Sequence, residues 1–166
     1  MRLKLISLLP LVVFFMAGCC SEKLRRTEQL NSSTNSVKIY ITLSAIPNGG
    51  DSYRLELNGK SYHNVYSGLY LEIPEKHLIC FRTEPNIGAD YFHVVPTKSD
   101  FEEFKIKLDK ENDFGHTLGV DKAAVGSTYV EKVEGDDIYF IERNSFRHEQ
   151  HRYQLNLKLH TLKQLN

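Results

Sequence analysis

Short runs of alternating apolar and polar residues follow one another through most of the chain. Val37, Ile39, Ile41 and Leu43 alternate with polar side chains, and this period of two is typical of a strand with one buried face. Comparable runs recur at regular spacing, and most of them end at proline, glycine or a polar cluster. The predicted strands are Val37–Leu43, Tyr53–Leu57, Leu69–Ile73, Leu78–Arg82, Tyr91–Val95, Phe104–Leu108, Tyr129–Val133, Ile138–Glu142 and Tyr153–Leu159.

The turn sequence Asn58-Gly59 predicts a β-hairpin with a defined register. Both residue types tolerate the positive φ of a type I′ turn, which makes Asn-Gly a strong hairpin signal. Pairing about this turn places Leu55 opposite Tyr62 and Arg54 opposite His63.

The remaining pattern favours an all-β fold. Glu134-Gly135-Asp136-Asp137 predicts a second hairpin, and no ten-residue stretch has a convincing amphipathic helical pattern. The segment Tyr153–Leu159 also suits a helix by its leucine spacing, but we interpret it as a strand because its polar residues alternate. We therefore predict one antiparallel β-sandwich, Ig-like or transthyretin-like, over residues 37–166.

The first residues have a different pattern, which is typical of a secretory signal. Arg2 and Lys4 precede an almost wholly apolar run, Leu5–Met16, and two small residues then lead to Cys19. The run is well short of the roughly 20 residues that span a bilayer. We predict that residues 1–18 are a signal peptide.

The residues Met16-Ala17-Gly18-Cys19 resemble a bacterial lipobox. The resemblance implies a lipoprotein that is cut before Cys19, whose sulfur carries diacylglycerol and whose new amino group is acylated, for example with palmitate. Several acyl chains on one residue make a stable membrane anchor. Cys20 follows where an aspartate would resemble an inner-membrane retention signal, so the resemblance implies the outer membrane, and we expect the periplasmic face.

The polar segment that follows predicts a tether. Residues 21–36 contain two apolar side chains and end in a serine, threonine and asparagine cluster, a composition typical of flexible linkers. We predict a lipid-anchored tether over residues 19–36, which as a coil spans about 20–25 Å.

Charge excludes the simplest case for nucleic-acid binding. Of the 21 basic and 21 acidic side chains, five basic and two acidic ones precede Val37, which leaves 16 against 19 in the domain. A nucleic-acid-binding domain is usually basic. We expect no nucleic-acid partner.

No histidine motif predicts a metal site. In His148-Glu149-Gln150-His151 the histidines lie three apart, whereas the zinc protease motif needs them four apart on a helix. A site assembled in space from His63, His93 and His151 stays open as the hydrolase alternative. The other histidines, with no ligand spacing, are His77, His116 and His160.

Other candidate chemistry is sparse. No serine lies in a Gly-x-Ser-x-Gly turn, and Cys80 lies in an apolar strand where a buried thiol is expected. A Cys20–Cys80 disulfide is chemically allowed in an oxidising compartment, but we do not expect it. We interpret the carboxylates of 100–103, 109–113 and 134–137 as solvated turns. We therefore predict no catalytic residues, no metal and no cofactor.

Four tyrosines fall close together in the sequence and allow two interpretations. Exposed rings could stack on a sugar or a partner, whereas cross-strand pairs would stabilise the sheet by about 0.2–1 kcal/mol each. We favour the cross-strand interpretation. The four are Tyr53, Tyr62, Tyr66 and Tyr70.

Two stretches of the domain, 53–60 and 71–79, are similar to PEGA-type surface β-domains. Tyr53-Arg54-Leu55-Glu56-Leu57-Asn58-Gly59-Lys60 supplies the strand and the Asn-Gly-Lys turn. Pro74-Glu75-Lys76-His77 has glutamate where that family has glycine. In outline the chain is also similar to the transthyretin-like lipoprotein of type VI secretion. These resemblances imply a surface domain that binds or assembles.

We therefore expect a membrane-anchored envelope lipoprotein that acts as a non-catalytic binding or assembly module with a protein partner. The alternatives are an inhibitor or immunity-type lipoprotein that blocks an enzyme, and a hydrolase with a composite histidine and carboxylate site. Asp109–Ser127 is a long connection with three glycines, and long loops on a rigid scaffold often bind partners. We expect that loop and the edge strands to form the contact surface.

Replacing Cys19 tests the anchor. Cys19→Ala removes the only sulfur at the lipobox position, so we expect metabolic labelling with a radioactive fatty acid to be lost. Cys20→Ala is the matched control and should keep its label. Continued labelling of Cys19→Ala would contradict the anchor.

Overall fold

Antiparallel strands dominate the computed structural model, which describes residues 21–31, 34–44, 50–85, 87–98, 101–109, 128–144 and 149–165. No helix in this part of the chain is long and apolar enough to cross a bilayer. Two short 3-10 turns cover Tyr66–Gly68 and Pro74–Lys76. The strands are β1 (Glu22–Gln29), β2 (Ser36–Thr42), β3 (Ser52–Leu57), β4 (Lys60–His63), β5 (Leu71–Ile73), β6 (Leu78–Thr83), β7 (Tyr91–Pro96), β8 (Phe104–Lys107), β9 (Thr128–Glu134), β10 (Asp137–Asn144), β11 (Glu149–Asn156) and β12 (Thr161–Leu165).

The strands form three antiparallel sheets in chain order. The first sheet contains β1 to β4, the middle sheet β5 to β8, and the last sheet β9 to β12. In each sheet every strand pairs with its neighbour in the sequence, so each sheet is a meander of four strands. The predicted all-β antiparallel sandwich is confirmed, and it has a third layer that the sequence analysis did not include.

The middle sheet is buried on both faces. All six residues of β6 are buried, and successive side chains of a strand point to opposite faces. Leu78 and Cys80 belong to one hydrophobic core, whereas Ile79 and Phe81 belong to another. The middle sheet is therefore the central layer of a three-layer stack.

Each core joins two sheets. The first core lies between the first and middle sheets and the second core between the middle and last sheets. Fully buried side chains of the first core include Val37, Ile39, Leu55, Leu57, Ile79 and Phe81. Those of the second core include Ile73, Leu78, Cys80, Phe92, Phe140, Tyr153 and Leu155.

The two ends of the stack carry different connections. Thr42, Ser52 and Thr83 lie at one end, which also carries Glu22, the first residue of β1. We call this the loop end, because the connections of residues 43–51, 64–70, 84–90 and 108–127 begin and finish there. The opposite end, the turn end, carries two-residue and four-residue turns such as 58–59 and 157–160.

The sheets are aligned so that these ends coincide. At the loop end, the amide of Glu84 donates to the carbonyl of Asn64 at 2.9 Å, which joins the middle sheet to the first. At the turn end, Nδ2 of Asn35 donates to the carbonyl of Thr97 at 2.7 Å. The rings of Phe104 and His160 stack there at 3.9 Å, which joins the middle sheet to the last.

The register predicted from the Asn58-Gly59 turn is confirmed. Arg54 pairs with His63 and Leu55 pairs with Tyr62. Asn58 and Gly59 have φ values of 53° and 76°, as a type I′ turn requires.

The predicted flexible tether is wrong for residues 22–29, which form β1. This strand pairs along its length with β2, with a bulge between Leu24 and Arg26. Arg26 donates from Nη2 to the carbonyl of Gly68 at 2.9 Å, and Tyr70 donates its hydroxyl to Glu28 at 2.7 Å. β1 is an edge strand, and edge strands are typically polar. Its composition therefore matched that of a linker.

The strand predicted over 153–159 is also wrong beyond Asn156, where β11 ends. Oδ1 of Asn156 accepts the amide of Leu159 at 2.7 Å, and His160 has a φ of 52°. These features make a turn that reverses the chain into β12. The leucine alternation therefore runs from the end of β11 into the turn that follows it.

Gly68 is the position at which a methyl group would be most disruptive. It has a φ of +62°, and an added Cβ would lie 2.6 Å from Cδ1 of Tyr53 and 3.1 Å from Cγ2 of Ile39. Gly135 has nearly the same φ, +61°, but nothing within 4 Å of an added Cβ. Alanine at Gly135 therefore adds only backbone strain, whereas alanine at Gly68 adds both backbone strain and overpacking.

We expect Gly135→Ala to lower the free energy of unfolding by about 1–2 kcal/mol through backbone strain. Gly68→Ala should cost about 1–3 kcal/mol more, because the methyl group also overpacks the first core. Urea denaturation of both variants measures the difference. An equal loss of unfolding free energy in the two variants would show that Tyr53 and Ile39 move aside for the methyl group without cost.

Candidate functional site

A polar cleft of about 750 Å³ opens at the loop end of the stack, where the first sheet meets the middle sheet. Three connections line it: the one between β2 and β3, the one that follows β4, and the one that follows β6. The described lining residues are Ser44, Gly50, Asp51, Ser52, Tyr53, Asn64, Val65, Tyr66, Ser67, Glu84 and Pro85.

Hydrogen bonds between the connections hold the cleft in shape. The amide of Ser44 donates to Oδ1 of Asp51 at 3.2 Å, which ties the two ends of the β2–β3 connection together. The amide of Val65 donates to the carbonyl of Tyr53 at 3.0 Å, so the segment after β4 stays against β3. An isolated bridge pairs Val65 with Thr83 and fixes the wall from the middle sheet.

Two residues with a left-handed backbone conformation turn the chain beside the cleft. Asn64 has a φ of 56° and Ser67 a φ of 50°. Asparagine adopts this region more readily than most residues because its side chain can bond locally. The 3-10 turn that follows closes with the amide of Gly68 donating to the carbonyl of Val65 at 3.2 Å.

The cleft has carboxylate, amide, hydroxyl and aromatic groups at its surface. The carboxylates belong to Asp51, which is exposed, and to Glu84, which lies 3.6 Å from Nη2 of Arg82. The amide belongs to Asn64, and serine hydroxyls lie on both sides. Such a set can donate to and accept from many hydroxyl or amine groups at once.

Arginine side chains that are not part of the cleft lining contact its two tyrosines, Tyr53 and Tyr66. The hydroxyl of Tyr53 accepts from Nη1 of Arg25 at 2.7 Å. The guanidinium of Arg82 lies 5.2 Å from the ring centre of Tyr66, and Nη2 of Arg82 also lies 2.5 Å from Oδ2 of Asp90. The side chain of Arg82 is only 4% exposed, so this ion pair is part of the protein interior.

The four tyrosines of the sequence analysis do not form one exposed stacking surface, because all four are buried or half-buried. Tyr62 packs edge-on against Phe81 at 5.0 Å and donates its hydroxyl to Glu103. Tyr70 donates to Glu28. Burial and these carboxylate bonds raise the pKa of both hydroxyls. The favoured cross-strand interpretation holds for Tyr62, which pairs with Leu55, and for Tyr53, which pairs with Ile41 and also lines the cleft. Tyr66 and Tyr70 lie outside the strands.

The histidines proposed for a composite site are not brought together. His93 lies in the middle sheet, where its ring stacks on Phe81 at 5.1 Å and its Nε2 is 2.9 Å from Oγ1 of Thr83. His63 is exposed on β4, and His151 lies in the last sheet, where Nδ1 is 3.0 Å from Nε2 of Gln164. Among the described residues, no group of three or more histidine, cysteine, aspartate or glutamate side chains could hold a metal ion.

Glu103 joins His93 in a small polar cluster at the edge of the first core. It lies 2.5 Å from Nζ of Lys60 and accepts the Tyr62 hydroxyl at 2.8 Å. Partial burial raises the pKa of Glu103, but these hydrogen bonds outweigh it and hold the pKa below its usual value. Both oxygens are therefore occupied in joining the two sheets.

Cys80 is a free, fully buried thiol, as the apolar strand predicts. Burial raises its pKa well above the usual value, so the reactive thiolate is suppressed. Cys19, Cys20 and most of the Asp109–Ser127 loop lie outside the described residues.

The cleft residues were missed in the sequence analysis because they lie in turn sequences. Asp51 follows Pro47-Asn48-Gly49-Gly50, and Glu84 opens Glu84-Pro85-Asn86. Both clusters were interpreted only as strand ends. The sequence carries no signal for the cleft, because the two connections meet only when the middle sheet packs on the first.

Comparison of the chain with protein-family models, with curated proteins and with solved structures found no match. The fold and the cleft describe the class of protein: an all-β, antiparallel stack whose described residues form a concave surface at its loop end.

His93 should make the stability of the fold depend on pH. Burial, with a smaller contribution from Lys105, lowers the pKa of His93 from 6.5 to about 4. The unfolded chain then binds a proton between about pH 6.5 and pH 4 that the folded chain does not, so stability falls as the pH falls through this window. We expect a loss on the order of 2 kcal/mol after allowing for the partial exposure of the ring.

Urea denaturation at pH 7 and pH 4.5 measures this loss in the wild type and in His93→Gln. The variant should lose less stability over the same interval, because glutamine does not titrate. His63→Gln, at an exposed histidine of β4, should keep the wild-type dependence. A His93→Gln variant with the wild-type pH dependence would contradict the assignment to His93.

Proposed function

We propose that this protein is a lipid-anchored envelope lipoprotein that acts as a non-catalytic binding module, and that the loop-end cleft is its ligand site. The observation that carries the proposal is the cleft itself. It is concave, its described lining combines polar and apolar surface, and three connections of a rigid stack contribute to it. Ligand sites commonly have this form, with loops positioned by a rigid scaffold.

The lipobox residues support the anchor. Met16-Ala17-Gly18-Cys19 follows a charged and then an apolar segment, the order of a secretory signal. An anchored protein with a binding cleft would hold an envelope component close to the membrane. The outer membrane, periplasmic face, is the location that Cys20 favours.

The chemistry of the cleft favours a hydroxyl-rich ligand such as a saccharide of the envelope. Carboxylates accept hydroxyl protons, and the amide of Asn64 both donates and accepts. Tyr53 and Tyr66 supply aromatic surface beside these groups. A sugar has both hydroxyl groups and apolar C–H faces, so it matches polar groups and rings placed together.

The contacts of two reactive side chains, His93 and Glu103, also favour a binding module over a hydrolase. His93 is held by Thr83 and Phe81, and Glu103 by Lys60 and Tyr62. His93 is held within the middle sheet and Glu103 joins the middle sheet to the first, and neither is among the described residues that line the cleft. These contacts support structural roles for both.

Neutral variants of the cleft carboxylates test the ligand site. Asp51→Asn and Glu84→Gln keep the shapes of the side chains but remove their charges. Titration calorimetry with soluble glycan fragments of the bacterial cell wall should show binding to the full chain. Each variant should bind about tenfold more weakly, since a hydrogen bond to a charged group contributes about 1.5–3 kcal/mol.

Glu102→Gln is the matched control, because Glu102 is an exposed carboxylate at the turn end. Its affinity should equal that of the wild type. Equal affinities for all variants would move the site away from the cleft, and no binding of any fragment would contradict a saccharide ligand.

A further inference from the structure

β1 brings the predicted anchor close to the folded domain. The strand begins at Glu22, three residues after Cys19. Three extended residues span at most about 10 Å, whereas a flexible tether over 19–36 would span about 20–25 Å. A lipid on Cys19 therefore holds the start of β1 at the membrane surface.

The start of β1 lies at the loop end. Glu22 pairs with Thr42, and Thr42 pairs with Ser52. The side chain of Glu22 also bonds to Arg54 at 2.8 Å through both oxygens, which fixes this end of β1 to the outer face of the first sheet. The loop end is thus the part of the domain that the anchor brings nearest to the bilayer.

Exposed large apolar side chains are concentrated on the same side. Among the described residues four are exposed: Leu24, Leu43, Ile87 and Leu159. Leu43 directly follows Thr42 in the β2–β3 connection, and Ile87 is 94% exposed in the β6–β7 connection. Both connections contribute lining residues to the cleft, Ser44 and Pro85 among them, so these two side chains lie at the same end of the stack as the cleft. Leu159 alone lies at the turn end.

Two cationic side chains lie near the loop end at the start of β1. Lys23 and Arg25 flank Leu24 in the strand, and because successive side chains of a strand point to opposite faces, Lys23 lies on the other face from Leu24. Arg25 donates to the hydroxyl of Tyr53. Bacterial membranes carry anionic lipid, which attracts lysine and arginine near the surface, so these cations support a membrane contact by their charge and by their place at this end of the domain.

We propose that the loop end lies on the lipid surface, with Leu43 and Ile87 in the interfacial region and the cleft opening toward the headgroups. The inference rests on the proposed anchor at Cys19 and adds an orientation to it. It also restricts the ligand, because a cleft in this position receives components that lie at the membrane surface, such as the sugar part of a glycolipid.

Single tryptophans test the orientation, because the chain has no tryptophan of its own. Leu43→Trp and Ile87→Trp place the probe at the loop end, and Leu159→Trp is the matched control at an exposed leucine of the turn end. Full-length, lipidated protein is reconstituted in vesicles of phosphatidylethanolamine and phosphatidylglycerol, with and without brominated acyl chains. We expect brominated lipid to quench the fluorescence at 43 and 87, with a blue shift on membrane binding, and to leave that at 159 unchanged.

Vesicle flotation of the same samples separates the orientation from the anchor. Flotation with no quenching at 43 and 87 would overturn the orientation and keep the anchor. Protein that stays at the bottom of the gradient would overturn both. A blue shift without quenching would place a second copy of the chain, rather than lipid, against this end and would also overturn the lipid contact.

Discussion

The burial of β6 on both faces is the constraint on which the rest of the structure depends. Its six residues are all buried, and burial of each large apolar side chain contributes about 1.5–3 kcal/mol. Ile79 and Phe81 stabilise the first core, and Leu78 and Cys80 the second. Because both cores share one strand, a change that displaces β6 disturbs the two interfaces together.

This shared layer also positions the cleft. Thr83 ends β6 at the bridge to Val65, so the connection after β6 must leave the stack beside the segment that follows β4. A rigid centre thus allows the cleft walls to be built from turn sequences with little apolar content. The cores and the cleft therefore depend on different residues: the cores on aliphatic and aromatic side chains, the polar part of the cleft lining on Asp51, Asn64 and Glu84.

Local patterns predicted the strands well and the layers poorly. The Asn58-Gly59 hairpin could be predicted to its register, because turn geometry alone fixes the pairing. β1 could not be predicted, because an edge strand bonded through its backbone needs no apolar alternation. The continuous apolar run Leu78–Phe81 is typical of a strand buried on both faces, and that signal would have indicated a third layer. The cleft could not be predicted, since it arises where connections from two sheets meet.

The pairing of each strand with its neighbour in the sequence has a consequence for the order in which the protein folds. Contacts between neighbours close quickly because the intervening loops are short. A chain that emerges from its N-terminus can therefore complete the first and middle sheets, and the core between them, before β9 is present. The opposite face of the middle sheet, with Cys80 and Phe92, is covered only by the last forty residues or so of the chain. During that interval the thiol of Cys80 is uncovered, and the packing of β10 and β11 is the event that buries it.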